Sequence, residues 1–241
     1  MHLRPRPILR RTQRHGIVLL LATVLLLLIM PSAEPYPVGG AVMALLFLLT
    51  IAAGMAAMPG HGGHRITLLA LPFAIGWLAA RILDLAVSVG SGTSLHLAPL
   101  LGLTLILLVL ANILRVLAVA RRISAGVLAE AFTGYLLIAI AFAQVYDVLD
   151  ELLPGAFNTA APPGAVTAFF TYFSLVTLTS VGFGDIVPTH PFVRMIAALE
   201  SVCGLFYTAI IVARLVAAYT PGQTESPIEA GSGEAGDRDG H

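Results

Sequence analysis

The chain has 241 residues, 58% of them hydrophobic and only 11% charged, with a mean hydropathy of +0.92. Soluble domains carry roughly 25% charged residues, so one or two soluble domains are excluded, and several apolar runs approach the ~20 residues that cross a bilayer. The composition is that of an all-α polytopic membrane protein. Thirteen basic residues, all arginine, balance 13 acidic ones. A net charge of zero gives no electrostatic case for a nucleic-acid partner. Cys203 is the single cysteine, so neither a disulfide partner nor a cysteine metal site is available within the chain.

Residues 1–15 hold five arginines and two prolines and read as a cytoplasmic arm. The apolar run 17–30 is only 14 residues, short for a crossing, so its helix is expected to borrow a turn from residues 10–15, where arginines can snorkel. The following Pro31-Ser-Ala-Glu-Pro-Tyr-Pro lacks a small-x-small cleavage site, and the run reads as a retained first helix rather than a signal peptide. Further helices are predicted over 38–58, 66–89 (with Pro72 inside), 97–120 and 126–149. Residues 16–125 thus form a four-helix peripheral membrane domain, and 126–219 a second unit.

The pattern then changes. A loop opens at Asp150–Gly155 and runs through Pro162-Pro163-Gly164. Ala165–Leu178 is apolar but, at 14 residues, too short to cross. It leads straight into Thr179-Ser180-Val181-Gly182-Phe183-Gly184-Asp185. A short helix followed by irregular backbone at membrane depth is a re-entrant pattern, tolerated only when buried in protein or lining a cavity. The last crossing is expected over 192–219, and 220–241, with five acids against Arg238, as a disordered tail. The positive-inside rule agrees with six crossings and both termini cytoplasmic. Arg65, Arg121-Arg122 and Arg214 then lie inside, and Glu34, Asp147, Asp150, Glu151 and Asp185 outside. Arg81 and Arg194 fall on the outer side, Arg81 with Asp84 three residues on as a local partner.

The stretch Thr177–Asp185 closely resembles the selectivity filter of tetrameric potassium channels, whose usual core reads Thr-Val-Gly-Tyr-Gly-Asp. Such a filter replaces the ion's water shell with rings of backbone carbonyls from four copies of one strand. Gly182 and Gly184 supply backbone conformations outside the ordinary regions without a Cβ clash. The resemblance implies six transmembrane helices with a re-entrant pore helix (165–178) and a selectivity filter (179–184) between helices five and six, and an inner helix over 192–219. It aligns Ser180 with the threonine of the innermost ion site and places K+ at Ser180, Val181, Gly182 and Phe183. Thr179 belongs to the same stretch, Val181 would pack behind the filter, Phe183 replaces tyrosine, and Asp185 would cap the outer mouth. Thr177 and Thr179 match the family pattern at the end of the pore helix. Tyr172 and Phe173 align with an aromatic cuff or serve as generic helix packing. Val176 stands where some relatives carry a bracing glutamate.

In the last helix, Glu200 either braces the back of the filter, pairs with Arg194, or makes a polar contact near the interface. Gly204 is a hinge or a close-packing site. Phe206, Ile210 and Ala213, spaced three or four apart, share a stripe that is a candidate hydrophobic gate.

Six crossings with such a loop resemble the voltage-gated cation channel plan without its sensor: helix 97–120 carries Arg115 alone, after Asn112. His61 and His64 read as a polar loop or a metal site shared between subunits. No nucleophile–base–acid arrangement marks an enzyme. The reading is a potassium-selective homotetramer in a cell inner membrane, with K+ as permeant ion, lipids as partners and no other cofactor. A nonselective monovalent cation channel, a potassium transporter subunit and a non-conducting membrane scaffold stand as alternatives.

Overall fold

The structure, a computed structural model, describes residues 7–34, 36, 39–56, 71–80, 83, 97–119 and 124–219. Expectations placed on residues 1–6, His61 and His64, Arg65, Arg81 and Asp84, Arg121-Arg122 and the tail 220–241 lie outside these residues.

The described chain is helical: α1 (Pro7–Ala33), α2 (Gly39–Ala56), α3 (Leu71–Ala80), α4 (Leu97–Val119), α5 (Ala125–Leu152), α6 (Val166–Leu178) and α7 (Pro191–Tyr219). Leucine- and alanine-rich runs favour this state, because apolar surroundings leave the backbone no partner but itself. The few hydroxyls in the apolar helices follow the same rule. Thr23, Thr50 and Thr133 each donate to the carbonyl four residues back, at 2.9 Å. Ser124 caps α5, its hydroxyl accepting from the Val127 amide at 3.4 Å. Pro31 lies inside the last turn of α1, and the helical pattern runs on beyond it, with the Glu34 amide donating to the Met30 carbonyl at 3.1 Å.

The expected six crossings with a re-entrant helix between the fifth and sixth are corrected here. Among the described residues four helices are long and apolar enough to span a bilayer: Gly16–Ala33, Pro99–Ala118, Ala125–Leu152 and Pro191–Arg214. Among the described residues the apolar stretches Val42–Ala53 and Leu71–Ala80 are shorter. Helix α1 runs from Pro7 to Ala33, extending its 14-residue apolar run at both ends, through residues 10–15 on one side and to Ala33 on the other.

Helix α5 is the hub, touching α1, α4, α6 and α7. One apolar core joins α1, α2, α3, α4 and α5 through Leu19, Leu26, Phe47, Trp77, Ile106 and Leu137. A second, aromatic core joins the C-terminal half of α5 to the 156–157 loop, α6 and the start of α7 through Tyr146, Phe157, Phe170, Phe173 and Val193. The spans differ in cover: 56% of the α5 span is buried against 22% of the α7 span. Helix α7 therefore presents a long apolar face, from Phe192 and Met195 to Ile210 and Val216, to whatever surrounds the chain.

Helices α1 and α5 cross in near backbone contact. A Cβ on Gly16 would overlap the Gly126 carbonyl oxygen and meet Glu130 Cγ at 3.2 Å. Gly16→Val is expected to cost about 1–3 kcal/mol by overpacking, read as a lower melting midpoint of the detergent-solubilised protein.

Candidate functional site

Helix α6 is 13 residues long, too short to cross, and its C-terminus is where the backbone becomes irregular. The last four carbonyls of a helix have no intrahelical donor, and here each finds one. Leu175 O accepts from the Thr179 amide at 3.1 Å and the Thr179 hydroxyl at 2.7 Å. Val176 O accepts from the amides of Val181 and Gly182 at 3.0 and 3.3 Å, and Thr177 O from Ser180 N at 2.9 Å. Other helices supply the rest: Ser201 Oγ of α7 donates to Thr177 O at 3.0 Å and Tyr135 Oη of α5 to Leu178 O at 3.0 Å.

Beyond this anchorage φ changes sign residue by residue. Ser180 (φ 58°), Gly182 (55°) and Gly184 (81°) are left-handed, while Val181 and Phe183 between them are not. Helix and strand both repeat one sign of φ, so this segment is neither. Alternation of hand is the backbone pattern that allows successive peptide units to turn to the same side. The glycines adopt this conformation without a Cβ penalty. A Cβ at either would meet nothing within 4 Å, so the constraint there is conformational and not spatial. Ser180 accepts a cost of about 1–2 kcal/mol for its left-handed φ, offset by the local hydrogen bonds.

The far end of the segment is clipped to the loop after α5. The Asn158 side chain donates to Asp185 O at 3.1 Å and accepts from Val187 N at 2.7 Å, while its own amide donates to Val187 O at 2.9 Å. Phe157 and Pro188 form a β-bridge, and Thr189 bonds Ala156 O and Gly155 O at 2.7 and 2.6 Å. Phe157 is in turn wedged among Tyr146, Phe170 and Phe173, with ring centroids 5.2–6.0 Å away. Tyr172 Oη donates to Asp185 Oδ2 at 2.8 Å. That hydrogen bond holds the Asp185 carboxyl below its ordinary value of 3.8 and raises the Tyr172 phenol, as a bond that favours carboxylate plus phenol must.

Behind α6 lies a buried polar cluster. Glu200 of α7 is fully buried. It accepts a 2.6 Å hydrogen bond from Tyr146 Oη of α5 and is in contact with the Ser174 hydroxyl of α6, which also donates to Ala139 O at 2.8 Å. One carboxyl thus joins three helices. Nearby, a Cβ on Gly204 would overlap the Leu178 carbonyl oxygen, so only glycine lets α7 approach the end of α6 this closely.

The residues singled out in the sequence therefore fall into three groups. Thr179–Asp185 form the exposed non-helical segment, with the Val181 and Phe183 side chains 55% and 69% exposed. Phe173, Val176, Thr177, Glu200 and Gly204 lie at or behind α6, whereas Tyr172, adjacent to Phe173, points outward to Asp185. Phe206, Ile210 and Ala213 all lie exposed on α7. The sequence reading missed Tyr135, Tyr146, Asn158, Ser174 and Ser201. A signal existed for four of them, since tyrosine and serine hydroxyls in apolar helices need partners; Asn158 sits in a loop with none. Among the described residues no group of three or more His, Cys, Asp or Glu side chains is placed to hold a metal.

Two expectations follow. Glu200→Leu leaves the Tyr146 hydroxyl and one Ser174 contact unsatisfied, at about 1–3 kcal/mol each, whereas Glu200→Gln keeps acceptors in place. The Leu variant is expected to melt well below the Gln variant in detergent. Because the folded Asp185 value is depressed, its stabilisation is complete above 3.8 and is lost as pH falls through the lower folded value. Tyr172→Phe brings the folded value back toward 3.8 and is expected to flatten this acid limb, read as thermal stability between about pH 5 and pH 2.

Comparison with known proteins places this site in context. Residues 159–220 match the family model described as "Ion channel". Over 84 residues the chain is 30% identical to the inward rectifier potassium channel Kirbac3.1 of Paramagnetospirillum magnetotacticum. That match covers 35% of this chain and 25% of the relative, so the chain spans about a quarter of the relative's length. No solved structure matches. The likeness corrects the expected six-helix, voltage-gated-like channel: the relative is named an inward rectifier, and the family match takes in α6, the non-helical segment and α7 but none of α1 to α4. The matched family is described as one of ion channels, and the chain is a multi-span membrane protein.

Proposed function

We propose that the chain is one subunit of a passive potassium-selective channel in which four copies surround a central axis. The observation that carries this reading is the alternation of φ at Ser180, Gly182 and Gly184. Such alternation is the backbone pattern that allows one chain to turn a row of carbonyls to a single face, and K+ coordination requires such rows to meet around an axis. Carbonyls of Ser180, Val181, Gly182 and Phe183 are the proposed ion ligands, and closed fourfold symmetry completes the ring. The exposed segment and the uncovered α7 face are the surfaces that neighbouring copies would bury. Lipid covers the outer faces of the four spans.

Gating by a voltage sensor is not part of this reading, because α4 carries Arg115 as its one charged residue and steep voltage dependence needs several charges per subunit. The proposed orientation puts Arg115 and Arg214 on the cytoplasmic side, with Glu34, Asp147 and Asp185 opposite. Arg214 Nη2 donates to Ala118 O at 3.1 Å, which joins the ends of α7 and α4 on one side and agrees with this arrangement.

A nonselective cation pore is the second reading, favoured by Phe183, which lacks a hydroxyl and stands 69% exposed. Flux from liposomes decides between them. The wild type is expected to carry barium-sensitive K+ flux well above Na+ flux. Gly182→Ala, which imposes about 1–2 kcal/mol of left-handed strain in each of four copies, is expected to reduce the K+ flux to background. Comparable Na+ and K+ flux establishes the nonselective reading instead. Absence of flux from a protein that also fails to assemble fourfold refutes both.

A further inference from the structure

The N-terminus of α6 is capped from another part of the chain. Its own N-cap residue, Ala165, offers no side-chain acceptor, yet the first amides of a helix need one. Thr167 N donates to Glu34 Oε1 at 2.7 Å and Ala168 N to Glu34 Oε2 at 2.8 Å. Both lengths are in the charge-assisted range, and a carboxylate at this end also meets the positive pole of the helix dipole. Glu34 follows directly on α1, held by its amide on Met30 O, and α1 packs on α2 and α5. The two bonds therefore connect the peripheral helices to the helix whose other end carries residues 179–185. Beside them lies a cavity of about 120 Å³ lined in part by Met30, Glu34, Phe47, Trp77, Asp147 and Thr167. On that flank the carboxylate adds a directional link to the packing of α1 on α6, where Ala168 lies against the core that includes Leu26 and Met30.

We infer that Glu34 is a positioning residue for conduction: its carboxylate holds the N-terminus of α6 at a place set by α1, and through the rigid 13-residue helix it sets the position of the carbonyl-bearing segment. This rests on the channel reading above. It assigns the peripheral helices a part in permeation that requires no voltage sensor.

Amide hydrogen exchange over residues 165–182 of the assembled full chain, beside K+ and Na+ flux in liposomes, tests it. Glu34→Ala is expected to speed exchange at Thr167 and Ala168 by about tenfold or more, to speed exchange at Val181 and Gly182, and to lower the K+/Na+ flux ratio several-fold. Glu34→Gln, which keeps the shape but not the charge, is expected to fall between; it also serves if the Ala variant does not assemble. Adding Ala165→Asp to Glu34→Ala supplies a local cap. That double variant is expected to recover protection at Thr167 and Ala168 but not the flux ratio or protection at Val181 and Gly182. Unchanged exchange at Val181 and Gly182 in Glu34→Ala overturns the inference, as does full recovery of the flux ratio by the local cap, which reduces Glu34 to a helix cap. Should the wild type pass neither ion and also fail to assemble fourfold, the channel reading fails, while exchange at Val181 and Gly182 still decides whether Glu34 positions the segment.

Discussion

Carbonyl groups that leave a helix in apolar surroundings must find donors, and the C-terminal half of this chain is organised around that requirement. The four last carbonyls of α6, from Leu175 to Leu178, are all satisfied, two by local amides and two with hydroxyls brought by α5 and α7. An unsatisfied polar group in such an environment costs several kcal/mol, more than any single packing contact in the region returns. The irregular backbone at 179–185 is anchored because those carbonyls are satisfied at its root.

Order at the two ends of that segment has different physical origins. At the α6 end it comes from hydrogen bonds and from the close approach that Gly204 allows to Leu178. At the far end it comes from a clip between 155–158 and 185–189, seated on the aromatic rings of Tyr146, Phe157, Phe170 and Phe173. Glu200 lies between, joining α5, α6 and α7 through Tyr146 and Ser174. A buried carboxyl is weak evidence for stability but a strong constraint on geometry, because its partners must arrive together. Helix α5 contributes Tyr135, Ala139 and Tyr146 to these contacts. It is the best covered of the four described spans because α1, α4, α6 and α7 all pack on it, while α7 keeps an open face.

The membrane class and multi-span character were legible in composition alone, because no soluble chain sustains such apolar runs. The count of spans was not. Residues 38–58 and 66–89 read as crossings, yet neither is among the four helices long and apolar enough to span a bilayer in the described residues. The apolar helices described there are Val42–Ala53 and Leu71–Ala80. The voltage-gated-like plan depended on that count and falls with it, whereas the ion-channel match covers 159–220 and owes nothing to α1 through α4. Glu34 entered the sequence reading only as a marker of sidedness; its bonds to Thr167 and Ala168 cross 133 and 134 residues, and no local pattern announces a cap supplied from so far away.

What the amino-acid sequence determined by itself was local: hydrophobic runs that must be helical, a segment too short to cross, and glycines at 182 and 184 that make a left-handed φ inexpensive. These are one-dimensional properties, set by side-chain transfer energies and backbone sterics within a few residues. What only the tertiary structure decided was which groups satisfy which. That Ser180 joins the glycines at positive φ, that Tyr172 turns to Asp185 while Phe173 turns inward, that Glu200 bridges Tyr146 and Ser174, and that Glu34 caps α6 all follow from how the helices meet. Hydrogen-bond partners in an apolar interior are assigned by proximity in space, and sequence separation carries almost no information about that.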